Sequence, residues 1–260
     1  MPVRLIASDL DGTLLLNGAQ SLRENTCDLI HALHEKGVWF VASSGRQYDN
    51  LRNLFAPVKD EIGYICENGC LSYLGDTRIG RELMDTDIAL SLIKDGLAHP
   101  EYEILVSGEH TSYILNHPSF YHHMHDVVRN HVTVVDDLSS VPEPYFKISL
   151  YDENDWTKEN EEIWKNKYGT KVQIMLGGSK WLDIMPKGVT KAAGLLPLLK
   201  KLNISPMDII AIGDNENDKE ILKLAGHPIV MSHSHPSIIS LSDHRIDQVE
   251  PFLSSLLEDL

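Results

Sequence analysis

A chain of 260 residues with 42% hydrophobic and 23% charged side chains has ample material for a buried core, as one large domain or two moderate ones. Its 38 acidic and 23 basic side chains leave a formal charge of -15, which argues against nonspecific partners such as nucleic acid or an anionic membrane surface. No stretch reaches the ~18 apolar residues that a bilayer span requires, and residues 1–16 carry Asp9 and Asp11 where a signal peptide would be apolar, so the expected location is cytoplasmic.

Residues 3–7 are apolar except for Arg4 and predict a central parallel strand covered on both faces. Asp9, Leu10, Asp11, Gly12 and Thr13 follow, at the strand end where open α/β sheets place ligands. Residues i and i+2 share one side of an extended chain, so Asp9 and Asp11 can reach one substrate while Leu10 points elsewhere. Two close anions ask for a cation, and Mg²⁺ suits one or two carboxylates plus water and phosphate oxygens. Asp11-Gly12 is also a strong turn pair, and on the dipeptide alone the two readings stand side by side.

Ser21 and Glu24 form a capping-box signature, and Leu22, Leu29, Ile30 and Leu33 keep helical spacing until Gly37. Residues 38–42 are a second buried strand, giving a βαβ unit. Ser43, Ser44, Gly45 and Arg46 then open a helix over 47–55; the Ser44 hydroxyl and neighbouring N–H groups suit a phosphate oxygen, although this loop taken alone is unspecific and favours a plain helix cap. A strand over 64–66 turns at Asn68-Gly69 and returns over 71–74.

Between residues 83 and 186 the rhythm changes, with helical patterns at 87–98, 119–130 and 155–168 among strands at 102–107, 112–116, 132–135, 146–151, 172–176 and 181–185. This is an α/β unit inserted into the first, which resumes with a helix over 190–202, a strand over 209–212, a helix over 218–225 and a strand over 229–231. Pro197 falls within the first of these helices and should kink it or break one hydrogen bond. Lys191 stands at that helix's N-terminus, where a cation opposes the macrodipole unless an anion is near; a solvated lysine is the alternative. Gly213, Asp214, Asn215, Glu216, Asn217 and Asp218 follow the next strand, with Asp214 a candidate metal ligand and Asn217 a candidate partner for phosphate or for Lys191. A cap for the following helix is compatible with both.

Three cysteines, Cys27, Cys66 and Cys70, are odd in number and make no C-x-x-C pair, so buried free thiols are expected. His122, His123 and His125, with His117 and His131 nearby, lack the carboxylate or cysteine pattern of a zinc site and suggest a substrate-facing or solvated face. Trp156 and Trp164 have the spacing of packing residues on one helix.

The order Asp9-Leu10-Asp11-Gly12-Thr13, Ser44-Gly45-Arg46, Lys191 after Gly188-Val189-Thr190, and Gly213-Asp214-Asn215-Glu216-Asn217-Asp218 resembles the haloacid dehalogenase superfamily, and more closely its Cof-type phosphatases with a large α/β cap, the C2 or type IIB arrangement. The Asn68-Gly69 turn matches the same branch. The resemblance spans essentially the full length and implies a doubly wound, mainly parallel Rossmann-like α/β core over 1–82 and 187–260, with the inserted cap over 83–186 setting substrate specificity. It implies that Asp9 is a nucleophile forming an aspartyl-phosphate and Asp11 a general acid and then base, with Ser44 and Lys191 completing the catalytic set. Leu10, Ser44, Gly45, Arg46, Lys191 and Asn217 would hold the phosphoryl oxygens or substrate, and Asp9, the Asp11 carbonyl and Asp214 would hold Mg²⁺. The expected substrate is a small phosphate ester, such as a sugar phosphate. A phosphomutase on the same core would need cap arginines for a second phosphate, and Arg78, Arg81 and Arg129 are few and scattered. A binding protein that had kept the fold would not need every catalytic group. The chain departs from the family pattern at Met231, Ser232, His233 and Ser234 and around residues 242–247.

Overall fold

The computed structural model describes residues 3–260. The predicted first strand is β1 (Leu5–Asp9), buried at every position, as a strand covered on both faces must be. The first helix, α1 (Thr26–Glu35), starts later than the Ser21-Glu24 signature implies, and its N-cap Asn25 makes no side-chain cap bond. The reason is tertiary: Arg23 donates to Gln248 Oε1 at 2.8 Å and Thr26 Oγ1 to Glu250 Oε1 at 2.9 Å, which holds this stretch against the C-terminal segment. β2 (Trp39–Ser43), α2 (Tyr48–Leu54), β3 (Gly63–Cys66) and β4 (Leu71–Leu74) follow the predicted order. A further strand, β5 (Thr77–Arg81), was not anticipated; it is a largely exposed edge, so it lacks an apolar signature.

The inserted segment contains α3 (Thr86–Leu97), β6 (Glu103–Ser107), β7 (Ser112–Ile114), α4 (Pro118–His122), β8 (Val132–Val134), β9 (Lys147–Tyr151), α5 (Lys158–Tyr168), β10 (Val172–Leu176) and β11 (Trp181–Pro186). Its six strands run β10-β11-β9-β6-β7-β8, antiparallel except for β7 with β8. The helix expected over 119–130 is shorter, because α4 gives way to a π-helical turn at His123–Val127. Trp156 lies before α5 and Trp164 within it; both are core residues, with Tyr102 stacked on Trp156 at 4.8 Å.

The remaining elements are α6 (Lys191–Leu202), β12 (Ile209–Gly213), α7 (Lys219–Leu224), β13 (His227–Met231), α8 (Pro236–Ile239), β14 (Arg245–Ile246) and α9 (Val249–Asp259). Pro197 does not divide α6; it removes the N–H that would pair with the Ala193 carbonyl, and its ring lies against Gly80 of β5. The eight-stranded sheet runs β14-β13-β12-β1-β2-β3-β4-β5, parallel from β14 through β3 and antiparallel thereafter. Leu5, Ala7, Val41, Ile65, Ile209 and Ala211 form one apolar core with Leu195 and Leu198 of α6 and Ile221 and Leu222 of α7. The fold class is therefore the expected doubly wound α/β.

The chain divides into two compact units, residues 1–81 with 190–260 and residues 82–189. Glu82 and Lys187 to Val189 thus fall in the inserted unit, one residue before the first predicted boundary and three after the second. Cys66 and Cys70 are buried free thiols and Cys27 is half-buried. Among the described residues no helix is long and apolar enough to cross a membrane.

Candidate active site

Parallel strands deliver their C-terminal residues to one edge of a sheet, and in the order β12-β1-β2 three such ends lie side by side. β1 ends in Asp9, β2 in Ser43 with Ser44 next, and β12 in Gly213 with Asp214 next. Thr190 caps α6 by accepting from the Ala193 N–H at 3.1 Å, which brings Lys191 in at the first helical position. Lys191 Nζ donates to Asp9 Oδ1 and, at 2.6 Å, to Asp218 Oδ1, and all three side chains are buried. These two carboxylates are the anion that a lysine in the first turn of a helix requires.

Charge competition fixes the protonation of this cluster. Burial drives the Lys191 pKa down, but the carboxylates of Asp218 and Asp9 outweigh it and hold the ammonium above its ordinary value. Burial also pushes the Asp9 carboxyl well above the usual range, the Asp218 charge adds to the rise, and Lys191 pulls in the opposite direction. Asp214 is raised as well, first by burial and then by Asp218. Carboxyls that resist ionisation are those a further cation would relieve.

Carboxylate oxygens of Asp9, Asp214 and Asp218 lie within 4.8 Å of one another. This all-oxygen donor set fits a hard divalent cation such as Mg²⁺. Thr13 Oγ1 donates to Asp214 Oδ1 at 3.0 Å, and Asp218 Oδ2 accepts from the N–H groups of Asp214 at 3.0 Å and Asn215 at 3.2 Å. Each acid is therefore fixed before any ligand arrives.

Asp11 is not one of this trio, and its side chain is exposed. Arg46 grips it with both arms of the guanidinium, Nε to Oδ2 at 2.9 Å and Nη2 to Oδ1 at 2.5 Å, while Nη1 donates to Asn50 Oδ1 on α2 at 3.3 Å. Arg46, expected to contact phosphate or substrate, is thus placed on the second aspartate. Ser44 is buried, its Oγ accepting from the Arg46 N–H at 3.2 Å. The Leu10 side chain is fully buried and its carbonyl accepts from Thr13 and Leu15, so a ligand would meet only its main chain. Asn217 is not the partner of Lys191; its amide donates to Asn68 Oδ1 at 3.4 Å, and Asp218, one residue on, takes the lysine. The cause is local, since a capping box between Asn215 and Asp218 turns the Asp218 carboxylate inward.

Asp218 and Thr13 lie within the motifs, but the sequence alone assigns neither a place in the site. The four-residue spacing from Asp214 to Asp218 was the available signal for the first. His233 in sequence is only a departure from a family pattern, yet its Nε2 donates to the Gly12 carbonyl at 2.8 Å and holds the loop that carries Asp11. Among the described residues the acidic trio is the one group placed to hold a metal; His117 pairs instead with Glu103 at 2.5 Å, and His122 and His125 with Asp126 at 2.6 and 2.7 Å.

Fold and site together define an enzyme with a doubly wound α/β core and an inserted second unit. A family model described as haloacid dehalogenase-like hydrolase matches residues 6–251, and the chain belongs to that family. It is 25% identical over 246 residues to the 5-amino-6-(5-phospho-D-ribitylamino)uracil phosphatase YbjI of Escherichia coli K12, covering 94% of this chain and 91% of that protein. It is 27% identical over 251 residues to the HMP-PP phosphatase of Cronobacter sakazakii, covering 93% and 88%. A solved structure from Eubacterium rectale superposes with a TM-score of 0.85 at 26% identity, covering 99% of each chain.

Proposed function

We propose that this protein is a Mg²⁺-dependent phosphatase that hydrolyses a small phosphorylated metabolite, with the phosphate on a sugar or sugar-like polyol, through an aspartyl-phosphate on Asp9. The observation that carries the reading is the buried ammonium of Lys191 shared between Asp9 and Asp218, beside Asp214, at the ligand edge of the sheet. A lysine so placed neutralises an approaching phosphate and keeps Asp9 from repelling it. Both curated relatives are named as phosphatases of small metabolites, and the phosphorylated ribityl chain in the name of the Escherichia coli one supports a polyol phosphate.

In the first step an Asp9 oxygen attacks phosphorus, the bond from phosphorus to the ester oxygen breaks, and that oxygen takes a proton from Asp11. In the second, Asp11 accepts a proton from water as the water oxygen attacks the same phosphorus; the bond to Asp9 breaks and inorganic phosphate leaves. Lys191 spans both steps as a fixed positive charge, and Ser44, the N–H of Gly45 and Asn217 hold phosphoryl oxygens. Asp9, Asp214 and the Asp11 carbonyl would hold Mg²⁺, with Asp218 beside them, and the cation supplies neutralisation of the charge on the transferring group. The inserted unit sets which leaving group is accepted.

Purified protein screened against a panel of phosphorylated metabolites should release phosphate from sugar or polyol monophosphates with Mg²⁺ and not with EDTA, and Asp9→Asn should be inactive. No release from any member, or a fully active Asp9→Asn, overturns the mechanism; an isomeric sugar phosphate in place of free phosphate points to a mutase.

A further inference from the structure

The turn between β3 and β4 is the most unusual backbone in the molecule. Glu67, Asn68 and Gly69 follow one another with φ of 49°, 56° and 110°, three left-handed residues in succession, two of them with a Cβ. Such a conformation persists only where its surroundings over-determine it, and it collects at functional sites. Nothing in the chemistry proposed above uses this turn.

Its contacts fall on three of the four motif segments. The Asn68 N–H donates to the Ser44 carbonyl at 3.0 Å and the Glu67 N–H to the Arg46 carbonyl at 3.1 Å, so the turn is stitched across the Ser44-Gly45-Arg46 loop. The buried Asn68 amide lies against Gly45, where a methyl group would sit 3.1 Å from Nδ2 and 3.2 Å from Oδ1. Asn68 Oδ1 also accepts from the Asn217 amide at 3.4 Å, across 149 residues of chain. Gly69 backs onto the start of α6, where any Cβ would collide with the Thr190 carbonyl and stand 3.3 Å from the Lys191 nitrogen. The strained turn is thus in touch with the serine loop, the lysine and the amide assigned to phosphoryl oxygens.

We infer that Asn68 is a positioning residue for phosphate: its left-handed backbone and its side-chain amide together fix the Ser44-Gly45 loop and Asn217 at the spacing that a phosphoryl group bridges. The inference rests on the phosphate-site reading above and adds a determinant of affinity that touches no reacting atom. Asparagine suits the place because it tolerates the left-handed region better than other side chains and brings a donor and an acceptor on one short arm.

Two substitutions separate the backbone from the side chain. Asn68→Gly makes the left-handed conformation free of steric cost and deletes the amide; Asn68→Asp keeps an acceptor and removes the donor. Binding of inorganic phosphate to the full-length protein, measured by calorimetric titration with Mg²⁺ present, is read beside the melting temperature and the KM and kcat for a turned-over substrate. Asn68→Gly should melt at or above the wild-type temperature and yet bind phosphate about tenfold more weakly, with KM rising more than kcat falls. Asn68→Asp should lose at least as much affinity. If both variants bind phosphate as the wild type does, or if affinity falls only in step with melting temperature, the inference is wrong and the turn is purely structural. Should Asn68→Gly fail to fold, Asn68→Asp decides alone by the same criterion. A wild type that binds no phosphate would instead overturn the phosphate-site reading itself, so the two failures are distinguishable.

Discussion

Replacing Lys191 with methionine keeps an unbranched chain of similar volume in a fully buried slot and deletes the charge together with its hydrogen bonds to Asp9 and Asp218. Asp9, Asp214 and Asp218 are then left with oxygens within 4.8 Å of one another and no internal counter-ion. Two ionised carboxylates at that spacing repel by about 3.5 kcal/mol at an effective dielectric near 20, so the trio cannot remain fully ionised. Removing one partner of a buried ion pair costs roughly 3–5 kcal/mol, and for a unit of this size each kcal/mol lowers the melting temperature by about 2–4 °C. Asp9 and Asp214 already have raised folded-state pKa values, chiefly through burial, with Lys191 restraining both. A group raised in the folded state contributes stability that is complete below its unfolded pKa and disappears as pH rises through its folded pKa. Without Lys191 these pKa values climb further, so the deficit of Lys191→Met should be small near about pH 5 and grow toward about pH 8. Urea unfolding in EDTA buffer at the two pH values measures it. Stability equal to wild type at both, or a deficit that does not change with pH, refutes the charge argument.

Two further outcomes follow from named contacts. Arg46→Ala frees Asp11, so kcat/KM should fall roughly 100-fold for an alkyl phosphate, whose leaving oxygen needs a proton, and much less for p-nitrophenyl phosphate; Arg46→Lys should recover only part, because an ammonium cannot grip both oxygens. Equal losses on the two substrates would show that Arg46 does not act through Asp11. Gly69→Ala sets a Cβ against the Thr190 carbonyl at φ of 110°, and should cost roughly 2 kcal/mol or more of unfolding free energy in a denaturant titration; an unchanged midpoint refutes the close-packing argument.

Much of the core was legible because its strands are buried on both faces and read as unbroken apolar runs, each ending in the polar residues of a motif. β1 with Asp9, β12 with Asp214 and the lysine opening α6 follow that rule. What was not legible depended on partners distant in sequence. Thr26 starts α1 because Glu250 is there to accept its hydroxyl, and Ser21, an adequate cap in isolation, is outcompeted. β5 is an exposed edge, and β14 has only two residues, so neither carries a periodicity to detect. Pro197 predicts a kink or one lost hydrogen bond, and α6 continues through it with that loss, its ring packed against Gly80 of β5, a strand without a sequence signature of its own. At the site, residue types and spacing singled out Lys191 but not which neighbour would hold it, because whether Asn217 or Asp218 faces inward is decided by a capping box within one short turn.

The strand order carries a consequence for how the molecule is made. β1 lies between β2, its near neighbour in sequence, and β12, which is synthesised after the whole inserted unit. At the usual pace of translation roughly 7–26 s separate the emergence of residues 81 and 213. For that interval β1, buried at every position in the finished sheet, has one unpaired edge, and Asp9 waits without its lysine. The inserted unit is contiguous in sequence and emerges whole in that interval, whereas the eight-stranded sheet gains β12, and Asp9 its acidic neighbours Asp214 and Asp218, only at the end.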